Sequence, residues 1–285
     1  MRLAGQYMDY WGNLHKTQLV ARFSAPVGEV ISYNFVVCLG TLGVNSGGVS
    51  VFATRCPDHR PAWVEVAIGP GDRKRPMEYW VFDDLPTLML AANLGALELH
   101  APMARHDHLD RPDMVVFDLD PGLPAGMTEC AAVALGLKSV FDQVGLRVFA
   151  KTSGSKGLQV YLPVHAPLTH HDAADFALAV GRLMDQMMPG RTLTTMAKVE
   201  RAGKVFIDWS QNAFHKTTIA AYSLRARASP TVSTPVSWDE VEYAARGGQL
   251  SFTYDAVLRR VEQKGDLFGP TTTLHQQLPV GPAVS

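Results

Sequence analysis

Met114-Val115-Val116-Phe117-Asp118-Leu119-Asp120-Pro121-Gly122 is the stretch on which the rest of the chain is read. Four apolar residues lead into two acids one position apart, and a Pro-Gly pair closes the run, which is the pattern of a buried strand ending in a turn. Side chains alternate across a strand, so Asp118 and Asp120 leave one face while Val115, Phe117 and Leu119 fill the other. Two carboxylates about 4 Å apart repel by roughly 4 kcal/mol at an effective dielectric near 20, so the pair needs a positive partner. Hard divalent cations take carboxylate oxygens and share them with phosphates, which favours Mg²⁺ or Mn²⁺ over zinc. The competing reading is local: strand ends beside turns carry Asp for turn chemistry and solubility.

The 285 residues are 47% apolar, enough for a packed core in one large domain or two small ones. A net charge of −1 gives no global positive field, so any affinity for phosphate must come from local clusters. Residues 1–10 lack the apolar centre of a signal peptide, and no stretch reaches about 18 uninterrupted apolar residues. A soluble, cytoplasmic protein with no membrane partner is expected. Cys38, Cys56 and Cys130 contain no Cys-x-x-Cys pair, so a reducing cytosol and packing thiols are expected rather than a disulfide framework. Cys56 and His59 have the spacing of half a zinc site without a second half, and His106 and His108 read as solvated loop histidines.

From residue 112 the pattern sharpens. Strand 114–120 is followed by a helix opening near Thr128 and closing at Gly145, then by strands 146–151 and 158–163. A second helix runs from Asp172 to about Met188, with Phe176, Ala179, Val180, Leu183 and Met187 recurring at helical spacing. Strands near 204–209 and 217–224 come next, then helices Trp238 to Arg246 and Tyr254 to Lys264, and a loosely held tail after Gly269. Earlier, residues 26–67 suggest short strands around Ser46-Gly47-Gly48, and Asp84 stands ahead of a helical run at 88–92.

Two further motifs lie downstream of the acidic strand. In Lys151-Thr152-Ser153-Gly154-Ser155-Lys156-Gly157, small residues let backbone N–H groups converge on an anion, and Ser153 and Lys156 add a hydroxyl and a charge. The spacing is not that of a Walker loop, and a tight β-turn with a solvated lysine remains the alternative. In Lys204-Val205-Phe206-Ile207-Asp208-Trp209-Ser210-Gln211-Asn212, alternation puts Phe206, Asp208 and Ser210 on one face, which makes Asp208 a candidate third carboxylate. Arg225, in Tyr222-Ser223-Leu224-Arg225, is either a bidentate phosphate clamp or a surface ion-pair partner.

Taken in order, Phe-Asp-Leu-Asp-Pro-Gly, Lys-Thr-Ser-Gly-Ser-Lys-Gly-Leu, Val-Phe-Ile-Asp-Trp-Ser-Gln-Asn and Tyr-Ser-Leu-Arg resemble the polymerase domain of bacterial DNA ligase D, of the archaeo-eukaryotic primase superfamily. The resemblance covers roughly residues 56–270. It implies an α+β fold: a primase-like core over 112–270 with an RRM-like antiparallel or mixed sheet flanked by helices. An N-terminal α/β subdomain would occupy 1–111 and a loose tail 271–285. It also implies template-directed transfer of ribonucleotides or deoxynucleotides to DNA 3′ ends, with two Mn²⁺ or Mg²⁺ ions, at gaps and ends handled with Ku and an ATP-dependent ligase in the bacterial cytosol. Asp118, Asp120 and Asp208 would hold the metals. Ser153, Lys156, Gly157 and Arg225 would grip the triphosphate, His100 would match an active-site histidine, and Phe52 an aromatic facing the base.

Departures from the family pattern are also legible. Gln159 stands where the phosphate loop usually continues with His; it carries no positive charge but can still donate a hydrogen bond, so it is kept among the expected nucleotide-binding residues. Thr54 stands where a lysine is expected, and no Lys or Arg occurs between Arg22 and Arg55. Weakened nucleotide binding is therefore expected, and a non-catalytic paralogue that binds DNA ends stays open. DNA contacts are expected from Arg73-Lys74-Arg75, from Arg225 with Arg227, and from Arg259-Arg260 with Lys264. Phe-Asp-Leu-Asp also resembles the nucleophile strand of haloacid-dehalogenase-type phosphatases, where Gly-Thr would replace Pro121-Gly122.

Overall fold

Met114–Pro121 forms a strand and takes an inner place in a six-stranded sheet, the largest among the described residues. The computed structural model of the chain describes residues 60–70, 76–93, 96, 98–227 and 229–278, with five short strands before them. Those strands are β1 (Tyr7–Met8), β2 (Leu14–His15), β3 (Phe35–Val37), β4 (Gly43–Asn45) and β5 (Gly48–Ser50). β6 (Val66–Pro70) and β7 (Pro76–Phe82) form a hairpin that β3 joins. Asp84 opens α1 (Leu85–Asn93) by accepting the Thr87 N–H at 2.8 Å.

β8 (His100–Ala101) precedes the acidic strand, β9 (Met114–Pro121), which leads to α2 (Met127–Gln143). Then come β10 (Phe149–Thr152), β11 (Leu158–Pro163), α3 (His170–Met187), β12 (Thr192–Leu193) and β13 (Val205–Asp208). β14 (Thr218–Ile219), β15 (Leu224–Arg225), β16 (Thr231–Val232), β17 (Pro235–Val236), α4 (Trp238–Ala245), α5 (Tyr254–Lys264) and α6 (Pro270–Thr273) follow, the last elements among the described residues. The main sheet has the order β12-β13-β9-β11-β10-β17, antiparallel except for the parallel β12–β13 pair. The expected mixed α+β architecture is therefore present.

One face of this sheet is the core. Val115, Phe117 and Leu119 pack with Leu158, Val160 and Ile207, and α2 covers them with Ala131, Ala134, Leu137 and Phe141. The covering face of α3 differs from the expected stripe. Ala173, Ala177, Val180, Gly181 and Met184 are buried, while Leu183 and Met187 are exposed. Small residues let the helix axis approach closely: a Cβ on Gly181 would lie 2.6 Å from the Thr194 methyl.

Two other elements also depart from expectation. The run at 217–224 is broken into β14 and β15, with Tyr222 between them at φ 65°. α6 and the residues as far as Leu278 pack against the core: Thr271 is buried, and the Gln276 amide bonds both the N–H and the carbonyl of Arg147. Among the described residues, no helix is long and apolar enough to cross a membrane.

Candidate active site

Strand register lines up four polar side chains in one row across the sheet. Lys151 on β10 stands opposite Gln159 on β11, Gln159 opposite Asp118 on β9, and Asp118 opposite Asp208 on β13. Residues opposite one another in antiparallel strands share a face, so the third carboxylate comes from the neighbouring strand on the same side as the first two. Asp120 lies two residues along that face, opposite Phe206 and open to solvent.

The electrostatics follow from this crowding. Burial and the Asp120 charge push the Asp118 carboxyl up to about 7, with Asp208 adding to the shift and the Gln159 hydrogen bond and Lys151 charge opposing it. Partial burial and Asp208 also raise Asp120, while Arg201 and Lys156 work the other way. Both shifts have the same cause: burial and like charge oppose ionisation of the two carboxyls. The Lys151 ammonium, itself buried, is pulled down to about 7 by loss of water, although Asp118 favours its charged form.

Asp208 ends its strand. Its carboxylate accepts the Ser210 N–H at 3.1 Å, the Ser210 hydroxyl at 2.6 Å and the Gln211 amide at 3.1 Å, capping a 3₁₀ turn over Trp209–Asn212. Ser210 thus reaches Asp208 through a turn, not by strand alternation, because the chain leaves extended geometry at Trp209. Buried Asn212 ties this turn to β9 by bonding both the N–H and the carbonyl of Val116 at 2.8 Å.

The loop after β10 is folded on itself. Ser153 N–H donates to the Gly157 carbonyl at 3.0 Å, and the Ser153 hydroxyl oxygen accepts the N–H groups of Ser155 and Gly157, each at 3.2 Å. Those three N–H groups therefore serve the turn and are not available as an anion cradle. Gly157 is required by close approach, since a Cβ there would sit 2.2 Å from the Leu119 carbonyl oxygen. Gly154, at φ 65°, lies under Arg225, whose Cγ would be 2.7 Å from an added Cβ. Lys156 is exposed beside the carboxylates.

Glu98 joins the remaining candidates. Its buried carboxylate meets His100 Nε2 at 3.2 Å and Arg225 Nη1 at 3.3 Å, and accepts the Ala226 N–H at 2.8 Å. Burial works to raise this carboxyl, but the His100 and Ala226 hydrogen bonds and the Arg225 charge hold it below the usual range. His100 stands opposite Ile219, whose carbonyl accepts from Lys151 Nζ at 2.8 Å, so this cluster adjoins the polar row.

Of the basic sets, Arg227 donates to Ser155 Oγ at 3.0 Å and Arg259 is exposed. Arg260 and Lys264 are both paired with Glu240. Phe52, Thr54, Cys56, His59 and Arg73-Lys74-Arg75 lie outside the described residues.

A family model for the LigD primase-polymerase domain matches residues 40–268. The chain belongs to that family. Among LigD relatives, it is 40% identical over 217 residues to the multifunctional non-homologous end joining protein LigD of Mycobacterium bovis, covering 73% of this chain and 28% of that protein. It is 30% identical over 217 residues to the bifunctional non-homologous end joining protein LigD of Bacillus subtilis, covering 76% of this chain and 34% of that protein. The chain thus spans about a third or less of these relatives. The polymerase domain from Mycobacterium tuberculosis ligase D in complex with DNA superposes with a TM-score of 0.71 at 36% identity, covering 78% of this chain and 79% of that one.

The divalent ions implied by the LigD family meet a fitting donor set: three carboxylates, an all-oxygen group without cysteine, in which burial and mutual repulsion already oppose the charge of two. Among the described residues no three His, Cys, Asp or Glu side chains close around a metal position, because Asp208 is turned onto Ser210 and Gln211 and Asp118 onto Gln159. Lys151, Glu98 and Asn212 escaped the sequence reading. Lys151 had a signal, since it precedes the turn by the same count as Gln159 follows it, but only the hairpin register makes that meaningful.

Proposed function

We propose that this chain is a template-directed nucleotidyltransferase that adds ribonucleotides or deoxynucleotides to DNA 3′ ends, filling gaps during non-homologous end joining. The observation that carries the reading is the pairing of Asp118 with Asp208 on adjacent strands, with Asp120 beside them and the Lys156 and Arg225 side chains nearby. Asp118, Asp120 and Asp208 would hold two Mn²⁺ or Mg²⁺ ions, which when bound lower the pKa of a primer 3′-hydroxyl and neutralise triphosphate charge.

The chain's own residues have separate tasks. Lys156 and the Arg225 guanidinium supply positive charge to the incoming triphosphate, and the Ser153 hydroxyl hydrogen, free of the turn it caps, donates to it. Glu98 holds Arg225 and His100 in place. Gly157 brings the loop close to β9, and Phe52 would face the base. Arg227 and Arg259, with Arg73-Lys74-Arg75, would hold the duplex through phosphates. Residues 112–270 would form the catalytic core, with 1–111 as a subdomain; Ku and an ATP-dependent ligase would act beside it in the bacterial cytosol.

The test is extension of a primed, gapped duplex with Mn²⁺, comparing ribo- and deoxynucleotides and measuring released pyrophosphate. Extension with one pyrophosphate per added nucleotide is expected. Phosphate release from small esters without extension would point to the phosphatase reading instead. One observation favours a second role, that of a non-catalytic end-binding module: the side chain at position 159 is a neutral, buried amide that brings no charge to a phosphate. Tight binding to DNA ends without extension would support that role.

A further inference from the structure

Gln159 is almost fully buried, and each end of its side-chain amide has a defined neighbour. Its oxygen accepts from Lys151 Nζ and from the Tyr161 hydroxyl, the latter at 3.2 Å, while its nitrogen donates to Asp118 Oδ1 at 3.1 Å. An amide can flip, exchanging these ends. Flipped, it would aim N–H groups at an ammonium and an oxygen at a carboxylate, both repulsive.

Lys151 makes that flip costly. Its three ammonium hydrogens have three acceptors: the Gln159 oxygen, the Ile219 carbonyl at 2.8 Å and the Ser233 hydroxyl at 2.8 Å. Ser233 passes its own hydrogen on to the Thr152 carbonyl at 2.9 Å, so it has none to turn toward Lys151. Tyr161 is anchored likewise by Thr218 at 2.9 Å. Lys151, which only donates, and the Asp118 carboxylate, which only accepts, therefore agree on one orientation, while the Tyr161 hydroxyl can serve either.

We propose that Lys151 is a positioning residue of the active site: its buried ammonium locks the Gln159 amide with the N–H toward Asp118, and so fixes the direction of that carboxylate. The inference rests on the nucleotidyl-transfer reading only in assigning Asp118 a part in chemistry.

The test is a double-mutant cycle on the full chain with Lys151→Met and Gln159→Leu, read by kinetics and by NMR of the side-chain amide. Lys151→Met should lower kcat about tenfold, the worth of one charge-assisted hydrogen bond, with nucleotide KM within about twofold of wild type. In the Gln159→Leu background the same substitution should change kcat less than about twofold, because the group it acts through is gone. In protein free of metal and nucleotide, the Gln159 NH₂ resonances, assigned by their loss in Gln159→Leu, should be two separated lines in wild type. They should shift and broaden in Lys151→Met.

Additive losses in the cycle, or unchanged amide resonances, would overturn the proposal. If Lys151→Met fails to fold, Gln159→Glu keeps size and the Lys151 contact but presents oxygen to Asp118. It should also lose about tenfold in kcat, and an unchanged kcat would overturn the proposal. A wild type that extends no primer defeats the nucleotidyl-transfer reading, and the amide resonances then decide this one alone.

Discussion

The two faces of one sheet divide the labour of this molecule, although they differ by a single residue of phase. Thr152, Leu158, Leu119 and Ile207 form a row on the core face, all buried; one residue away, Lys151, Gln159, Asp118 and Asp208 form a row on the other. The first row holds by burial of apolar area. The second is held by hydrogen bonds that fix one another's direction, and it gathers like charges that burial makes unfavourable. The backbone is common, so substitutions on the two faces should separate stability from activity.

The largest contrast should come from neighbours in sequence. Asp118→Asn should cut primer extension by about a thousandfold or more while leaving the urea midpoint unchanged or higher, since it removes a repelled charge. Phe117→Ala, on the opposite face, should cost about 3–5 kcal/mol of stability, measured by urea unfolding. Equal stability losses from both would erase the distinction between the faces.

Gly157→Ala should affect both faces together. Its methyl would collide with the Leu119 carbonyl, pushing the loop from β9, at a cost of about 1–3 kcal/mol and with weaker nucleotide binding in a fluorescence titration. Nucleotide affinity unchanged from wild type would detach the loop from the site.

The smallest effect should lie far from the row. Glu240 accepts from Ser237 N–H, Arg260 and Lys264; burial opposes its charge, but these partners hold its carboxyl down at about 2. A folded-state pKa below the unfolded value of 4.5 gives stability that is full above pH 4.5 and is lost as pH falls through 2. Glu240→Gln should therefore cost about 1–2 kcal/mol at pH 7 after allowance for solvent screening, and almost nothing near pH 2, with extension unchanged. A gap between the two proteins that persists in acid would assign the loss to packing instead.

How much of this was legible follows from what each residue needs from its neighbours. The shared face of Asp118 and Asp120 follows from alternation within one strand, and Asp208 from a second apolar strand. Lys151 needs register: as the last residue of strand 146–151 it has no assignable partner, and only pairing across the Ser153 to Gly157 hairpin makes it Gln159's. The covering face of α3 was misread because two stripes fit helical spacing, and contact with the sheet selects the small residues over Leu183 and Met187. The break at Tyr222 had no glycine to announce its positive φ. Likewise, Glu98 becomes a hub only through Arg225, far along the chain.

Manganese uptake tests the central claim most directly, because it asks whether three carboxylates from two strands act as one site. Electron paramagnetic resonance titration of free Mn²⁺ in the presence of nucleotide should report two bound ions for the wild type, and loss of binding in both Asp118→Asn and Asp208→Asn. Uptake in Asp208→Asn equal to that of the wild type would contradict the account.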